Sequence, residues 1–354
     1  MIEGLDRILE GTDLPGRDTL GVLIERVLGG SRLRGRVTAE EQVGRRRVRR
    51  LGLEVDGAPR ALIIKFLTLN RSLREQRIVS DWLPAIGMGR HGPPVLGTAG
   101  VTSGAGVWHV YEDLGDCGLE RKLVDPVALR SALQVVARLH GGFANHPLLG
   151  DCQATGGSLG RGFFLSSVRN ALRALDGLRP LRAALPPEHR ATRVRLRERL
   201  MRLLDEAPRR LEALEELDGR DTLLHGDLWP SNLLVVEKDE VRLIDWDHAG
   251  VGPATFDLSN LLMRLPVGLR LGALADYRDA GGAAGWGSPG RDDLNFLFET
   301  AECGRIANCV VWPALDFWRR GEPWALERLA SIDCWFEELE PALPAEPNRA
   351  VSLQ

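Results

Sequence analysis

HGDLWPSNLLVVEKDEVRLIDWDHAG, residues 225–250, is the most informative stretch of the chain. Leu233 to Val236 and Val241 to Ile244 are short apolar runs of the kind that form strands. Between them Glu237-Lys238-Asp239-Glu240 makes a polar four-residue turn. Counted inward from both ends of that symmetric hairpin, Asn232 falls opposite Asp245. Asp227 lies five residues before Asn232, on a loop stiffened by Pro230. A carboxylate, a carboxamide and a second carboxylate on one rim suit Mg²⁺, a hard cation that takes oxygen ligands and keeps some of its waters. Each residue alone also reads as an ordinary turn residue, because Asp and Asn side chains satisfy nearby backbone groups. The three together, at this spacing and around two strands, form a motif.

The bulk properties narrow the field. A chain of 354 residues buries a large core and is long enough for two lobes or domains. With a formal net charge of -3, nothing global draws it to nucleic acid or an anionic membrane. No run of 18 apolar residues is present to span a bilayer. The opening MIEGLDRILEG has acids where a signal peptide would carry a basic region and then an apolar stretch. The five cysteines (Cys117, Cys152, Cys303, Cys309 and Cys334) are scattered and lack C-x-x-C spacing, so reduced thiols and a cytoplasmic location are expected.

Lysine is scarce. Lys65, Lys122 and Lys238 are the only lysines among 46 basic residues, so Lys65 in the apolar run ALIIKFL (residues 61–67) stands out. Strands are expected over Arg32 to Glu40, Arg45 to Val55 and Arg60 to Leu67, with a tight turn at Asp56-Gly57. A desolvated ammonium is costly without a partner. Lys65 either has one or lies on the solvent face of an edge strand with its stem covering apolar surface. Glu75, in a helix expected over Ser72 to Leu83, is one possible partner. It also fits a capping box, Ser72-x-x-Glu75.

The pattern H-G-D-x-x-x-x-N followed by D-W-D resembles the catalytic loop and metal motif of a kinase. With Gly226 and Trp246 it is similar to the aminoglycoside phosphotransferase and choline kinase-like family, whose members phosphorylate small molecules. Only eleven residues separate Asp245 from Asp257, too few for a long protein-kinase activation segment. The resemblance implies an α+β, bilobal protein kinase-like fold: a small β-rich lobe over residues 1–113 and a larger, mainly helical lobe over 114–354. It implies Asp227 as the base for the acceptor hydroxyl, and Asn232 and Asp245 as holders of Mg²⁺ on the phosphates of ATP. Lys65 would bind the α- and β-phosphates and pair with Glu75, and backbone groups near Glu112 and Leu114 would grip the adenine. Asp247 would help through a water, His225 would brace the loop, and Asp257 would anchor its backbone. The expected partner is a small hydroxylated molecule, with neither nucleic acid nor membrane involved. The rivals are a catalytically inactive nucleotide-binding regulatory module of the same fold and, with less support, a protein kinase.

Other segments carry weaker signals. Thr38 to Gly44, TAEEQVG, has one glycine where protein kinases have three over the phosphates. Arg45 to Arg50 offers an anion-binding or RNA-binding run, or a solvated strand face. Val107 to Tyr111 reads as a strand. Helices are expected over Thr19 to Leu28, from Asp125-Pro126 to Gly141, and over Phe163 to Leu175, Ala191 to Asp218, Thr255 to Arg264, Asp292 to Trp312 and Trp324 to Leu339. His140 reads as a packing or bracing residue. GGSLGRG (156–162) follows no clear strand and reads as a plain loop. Trp286 stands in a glycine-rich loop that would cover a substrate or simply lie at the surface. Glu299, Glu302, Asp316, Trp312, Trp318, Trp324 and Trp335 are the residues from which the resemblance would build an acceptor pocket.

Overall fold

The fold comes from a computed structural model that describes residues 2–8, 10, 12–29, 34–43, 47–178, 185–217, 219–237, 240–282 and 289–345. Gly30, Gly44 to Arg46, the turn residues Lys238 and Asp239, and Trp286 lie outside the described residues. Two compact units are present: Met1–Lys122 with Ser231–Asp247, and Leu123–Pro230 with His248–Gln354.

The first unit is built on a six-stranded sheet of order β1-β2-β3-β4-β6-β5. Its strands are β1 (Ile2–Glu3), β2 (Gly35–Gln42), β3 (Val48–Val55), β4 (Ala58–Leu67), β5 (Val95–Gly100) and β6 (Val107–Glu112). Among the described residues of this sheet, only the β1–β2 pair is parallel. Asp56-Gly57 makes the β3–β4 turn, with both residues at positive φ, 50° and 81°. Helix α1 (Arg17–Val27) buries Leu20, Leu23 and Ile24 in a core shared with Leu51, Ile64, Trp108 and Val110.

Helix α2 (Leu69–Arg77) begins three residues earlier than the sequence suggests, after Thr68. Ser72 and Glu75 are therefore buried inside the helix, and no capping box forms between them. The helix continues through a π-helical stretch, Ile78–Trp82, into the short α3 (Leu83–Ala85).

The second unit holds α4 (Pro126–Phe143), α5 (Leu149–Gly156), α6 (Arg161–Gly177), α7 (Pro187–Asp205) and α8 (Ala207–Glu216). Strand β7 (Asp221–Leu224) follows. The hairpin strands β8 (Leu233–Glu237) and β9 (Glu240–Leu243) belong to the first unit. The second unit resumes with β10 (Gly250–Pro253), α9 (Thr255–Leu262), α10 (Val267–Asp279), α11 (Arg291–Arg320) and α12 (Pro323–Glu337). Asp125 caps α4 by accepting from the Val127 N–H at 2.9 Å, as the Asp-Pro pair predicts. The helix expected over Ala191 to Asp218 is two, divided at Glu206 just before Pro208. Conversely α11 runs unbroken past Trp312 and through Pro313. Phe164, Val168 and Leu175 of α6, Leu196 and Leu200 of α7, and Ala307 and Val310 of α11 form the main core of this unit. Among the described residues no helix is long and apolar enough to cross a membrane.

Candidate active site

The residues singled out in the sequence fall into two sets, one in each unit. In the first unit the β8–β9 hairpin is fastened to the N-terminal segment by backbone and side-chain bonds. The Val235 N–H donates to the Cys117 carbonyl at 2.9 Å, and Lys122 Nζ donates to the Val235 carbonyl. His91 Nδ1 lies 2.8 Å from the Val241 carbonyl. These bonds place the end of β9, and with it Asp245 and Asp247, against β4 and α2.

The register of the hairpin differs from the symmetric count. Leu233 pairs with Leu243 and Val235 with Val241, but Glu237 pairs with Glu240. Val236 is therefore an extra residue on β8, a bulge that slips the base of the hairpin by one. Asn232 consequently faces Ile244, whose N–H donates to the Asn232 carbonyl at 3.1 Å, and Asp245 sits one residue beyond. Asp245 has φ 63°, an uncommon left-handed conformation for a residue with a side chain. Trp246 is buried and its indole N–H donates to the Leu243 carbonyl at 2.9 Å, which fixes the turn. Backbone strain of this kind persists only where surrounding contacts enforce it.

Lys65 ends in an ion-pair network with the two aspartates. Its Nζ lies 2.6 Å from Asp245 Oδ1 and 2.8 Å from Asp247 Oδ1. Asp247 is held again from α2, by Arg71 Nη1 at 3.0 Å, while Arg74 donates to the Asp247 carbonyl. Burial works against the Lys65 ammonium, but Asp245, Asp247 and more distantly Glu75 outweigh it and hold its pKa above the ordinary lysine value. Glu75 makes no ion pair with Lys65 among the described residues. Its carboxylate accepts from the Tyr111 hydroxyl and lies 3.6 Å from His109 Nδ1, while Ser72 Oγ is 2.8 Å from His109 Nε2. Burial first, and then the Glu75 charge, push the Tyr111 phenol well above its usual range. In sequence Glu75 is the natural partner for Lys65. In the fold it joins α2 to β6, and the Lys65 charge is met by Asp247 from 182 residues away.

Glu112 ends β6 opposite Leu62, with its N–H donating to the Pro94 carbonyl at 3.0 Å. The Leu114 carbonyl accepts from the Cys117 thiol. Asp113 between them is bound by Arg50 Nε at 2.7 Å. Arg49 pairs with Glu40 at 3.4 Å, so these two arginines of the basic run are engaged within the fold.

In the second unit Asp227 follows a loop held from behind by Asp257. The Asp257 carboxylate is fully buried and accepts the His225 N–H at 2.7 Å and the Gly226 N–H at 2.9 Å. His140 Nε2 is 3.2 Å from Asp257 Oδ2, and His140 Nδ1 is 2.8 Å from the Tyr277 hydroxyl. That hydroxyl donates to the Gly282 carbonyl at 2.7 Å, leaving its oxygen to accept from the imidazole. Burial would raise the Asp257 pKa, but the bonds and charges of His140, His225 and Gly226 hold it below the usual carboxylate range. Gly226 has φ 79°, and a Cβ there would meet the His248 carbonyl oxygen at 1.9 Å. Sterics alone therefore demand glycine between His225 and Asp227.

Trp229, two residues after Asp227, was not singled out from the sequence. Its position inside the catalytic-loop pattern was the available signal. It is 42% exposed, its N–H donates to the Asp227 carbonyl at 2.9 Å, and the Arg264 guanidinium stacks 4.2 Å from its ring centre. Of the acids proposed for an acceptor pocket, Glu302 is buried and bonded to Arg305 and Ser259, and Glu299 is paired with Arg210 at 2.7 Å. Trp312, Trp318 and Trp324 lie exposed at the surface, and Trp335 packs on the α6–α7–α11 core.

Asp245, Asp247 and the Asn232 carboxamide offer only hard oxygen donors, and a cationic Lys65 already sits on two of them. That donor set fits Mg²⁺ and the phosphates it accompanies. The model of the phosphotransferase enzyme family matches residues 36–297. No curated protein sequence matches the chain. Among solved structures, macrolide 2′-phosphotransferase from Brachybacterium faecium is similar at 19% identity and TM-score 0.53, covering 90% of this chain and 98% of its own. Ethanolamine kinase from Plasmodium vivax is similar at 15% identity and TM-score 0.55, covering 94% and 96%. An aminoglycoside phosphotransferase from Streptomyces rimosus, in complex with ADP and streptomycin, aligns at 19% identity and TM-score 0.50 over 84% and 100%.

Proposed function

Because the chain belongs to the phosphotransferase enzyme family, we propose that it transfers the γ-phosphate of ATP to a hydroxyl of a small molecule. The observation that carries this reading is the contact of Lys65, on the inner strand β4, with Asp245 and Asp247 of the D-W-D segment. Lys65 would neutralise the α- and β-phosphates, with Glu112 and Leu114 presenting backbone groups to the adenine. Asn232 and Asp245 would hold Mg²⁺, with Asp247 as an outer support. When bound, the ion neutralises charge on the β- and γ-phosphates.

Asp227 is the proposed general base. It would orient the acceptor hydroxyl and take its proton as the acceptor oxygen bonds to the γ-phosphorus. The bond from that phosphorus to the β–γ bridging oxygen breaks, and its electron pair leaves with ADP. Asp257, His140 and His225 position the loop and touch no reacting atom. The test is ATP consumption with Mg²⁺ across aminoglycosides, macrolides, sugars, sugar acids and amino alcohols, with Asp227→Asn as control. Acceptor-dependent turnover that falls by about 100- to 10,000-fold in the variant supports the assignment. Equal turnover in both proteins contradicts it.

A further inference from the structure

Arg264 follows α9 and places its guanidinium over the exposed ring of Trp229, two residues after Asp227. Its position is fixed by partners on one side. Nη1 donates to the Asn260 carbonyl at 2.8 Å and lies 3.5 Å from Glu302 Oε2. Glu302 itself is buried, accepts from Ser259 Oγ at 3.1 Å and pairs with Arg305. Two arginines thus meet one glutamate and share its charge. The Asp227 charge is also felt at Arg264, which places the two groups in one electrostatic neighbourhood. Arg264 Nε is buried without an acceptor, and Nη2 has none among the described residues. Those two donors form one edge of the guanidinium, the fork that matches a carboxylate or phosphate with two parallel hydrogen bonds. The guanidinium carbon lies 4.2 Å from the Trp229 ring centre, a cation–π contact that leaves that edge without a protein acceptor among the described residues.

We propose that Trp229 and Arg264 form an acceptor subsite that selects a hydroxylated molecule carrying a carboxylate or phosphate, and disfavours polycations. Trp229 offers an apolar face to the carbon skeleton, and Arg264 receives the anionic group while Asp227 addresses the hydroxyl. Two acids that would attract a polycation are engaged, Glu302 with Arg264 and Arg305 and Glu299 with Arg210. This inference rests on the phosphotransfer reading given above.

The test uses the full chain with Mg²⁺ and ATP and matched acceptors on one skeleton. Glucuronate and glucose 6-phosphate are set against glucose and glucosamine, and glycerate against glycerol and serinol, with kanamycin as a polycation. ADP formation is measured and the phosphorylated product is identified by mass. The expected result is kcat/KM at least about tenfold higher for an anionic member than for its neutral counterpart. In Arg264→Gln that ratio collapses toward one through KM, and Arg264→Lys restores part of it, because the charge returns without the fork.

Preference for amines or kanamycin overturns the proposal, as does failure to phosphorylate any anionic member. An equal loss for every acceptor in Arg264→Gln also overturns it, since Arg264 would then serve the transferring phosphoryl group or the fold. Carboxylate and phosphate acceptors are scored separately to distinguish the two sources of the anion. If no compound is phosphorylated and Mg-ATP does not bind by calorimetry, the phosphotransfer reading fails and the subsite falls with it.

Discussion

Asp245 and Asp257 stand twelve residues apart and are held in opposite ways. Asp245 is in a left-handed conformation, its side chain is 46% exposed, and its ion-pair partner Lys65 is held a second time by Asp247. Asp257 is completely buried, and two backbone N–H groups and an imidazole bind it. A carboxylate that must accept a ligand has to keep an accessible oxygen and tolerate a change of partner. A carboxylate that positions a loop does its work by having no alternative. The difference fits the proposed roles, with burial and saturation at the positioning group and strain and replaceable partners at the binding group.

That contrast can be broken by mutation. The largest effect is expected for Asp257→Ala, which leaves two backbone donors and His140 buried without their acceptor. A loss of about 3–5 kcal/mol in urea unfolding is expected, and a loss below 1 kcal/mol would remove its positioning role. Gly226→Ala comes next. Its Cβ would clash with the His248 carbonyl at positive φ, so destabilisation of at least about 1 kcal/mol is expected by thermal unfolding. Asp245→Asn should change stability by less than about 1 kcal/mol, because asparagine tolerates the left-handed conformation and Asp247 still pairs Lys65.

A pH profile sharpens the same point. The Asp257 pKa is depressed in the fold, so its contribution to stability is complete above the unfolded carboxylate value of about 3.9. That contribution disappears as pH falls through the lower folded value. Stability curves of the native protein and Asp257→Asn should therefore converge on the acid side, and parallel curves would contradict the assignment. The smallest effect is expected for Trp318→Ala on the exposed surface, within about 0.5 kcal/mol.

The catalytic-loop pattern and the hairpin were legible because their chemistry is local: polar residues at fixed spacing around two apolar strands. Strands β3, β4 and β6 and helix α4 were legible for the same reason, from alternation at period two and an Asp-Pro cap. The partner of Lys65 was not, since Asp247 meets it only through the packing of a hairpin carried in by Cys117, Lys122 and His91. The capping box at Ser72 misled because two residues that fit a helix start also fit a buried helix face. The register of the hairpin depended on a bulge at Val236, which no residue type announces. Trp229 and Arg264 are 35 residues apart, and only the return of α9 beside the loop brings them together.

The most direct test is a calorimetric titration of Mg-ATP into Asp227→Asn and Asp245→Asn alongside the unaltered protein. Asp227→Asn is expected to bind as the unaltered protein does, while Asp245→Asn binds roughly tenfold to hundredfold more weakly. Equal binding by Asp245→Asn and the unaltered protein, or a comparable loss in Asp227→Asn, would contradict the division of labour between the two sets of residues.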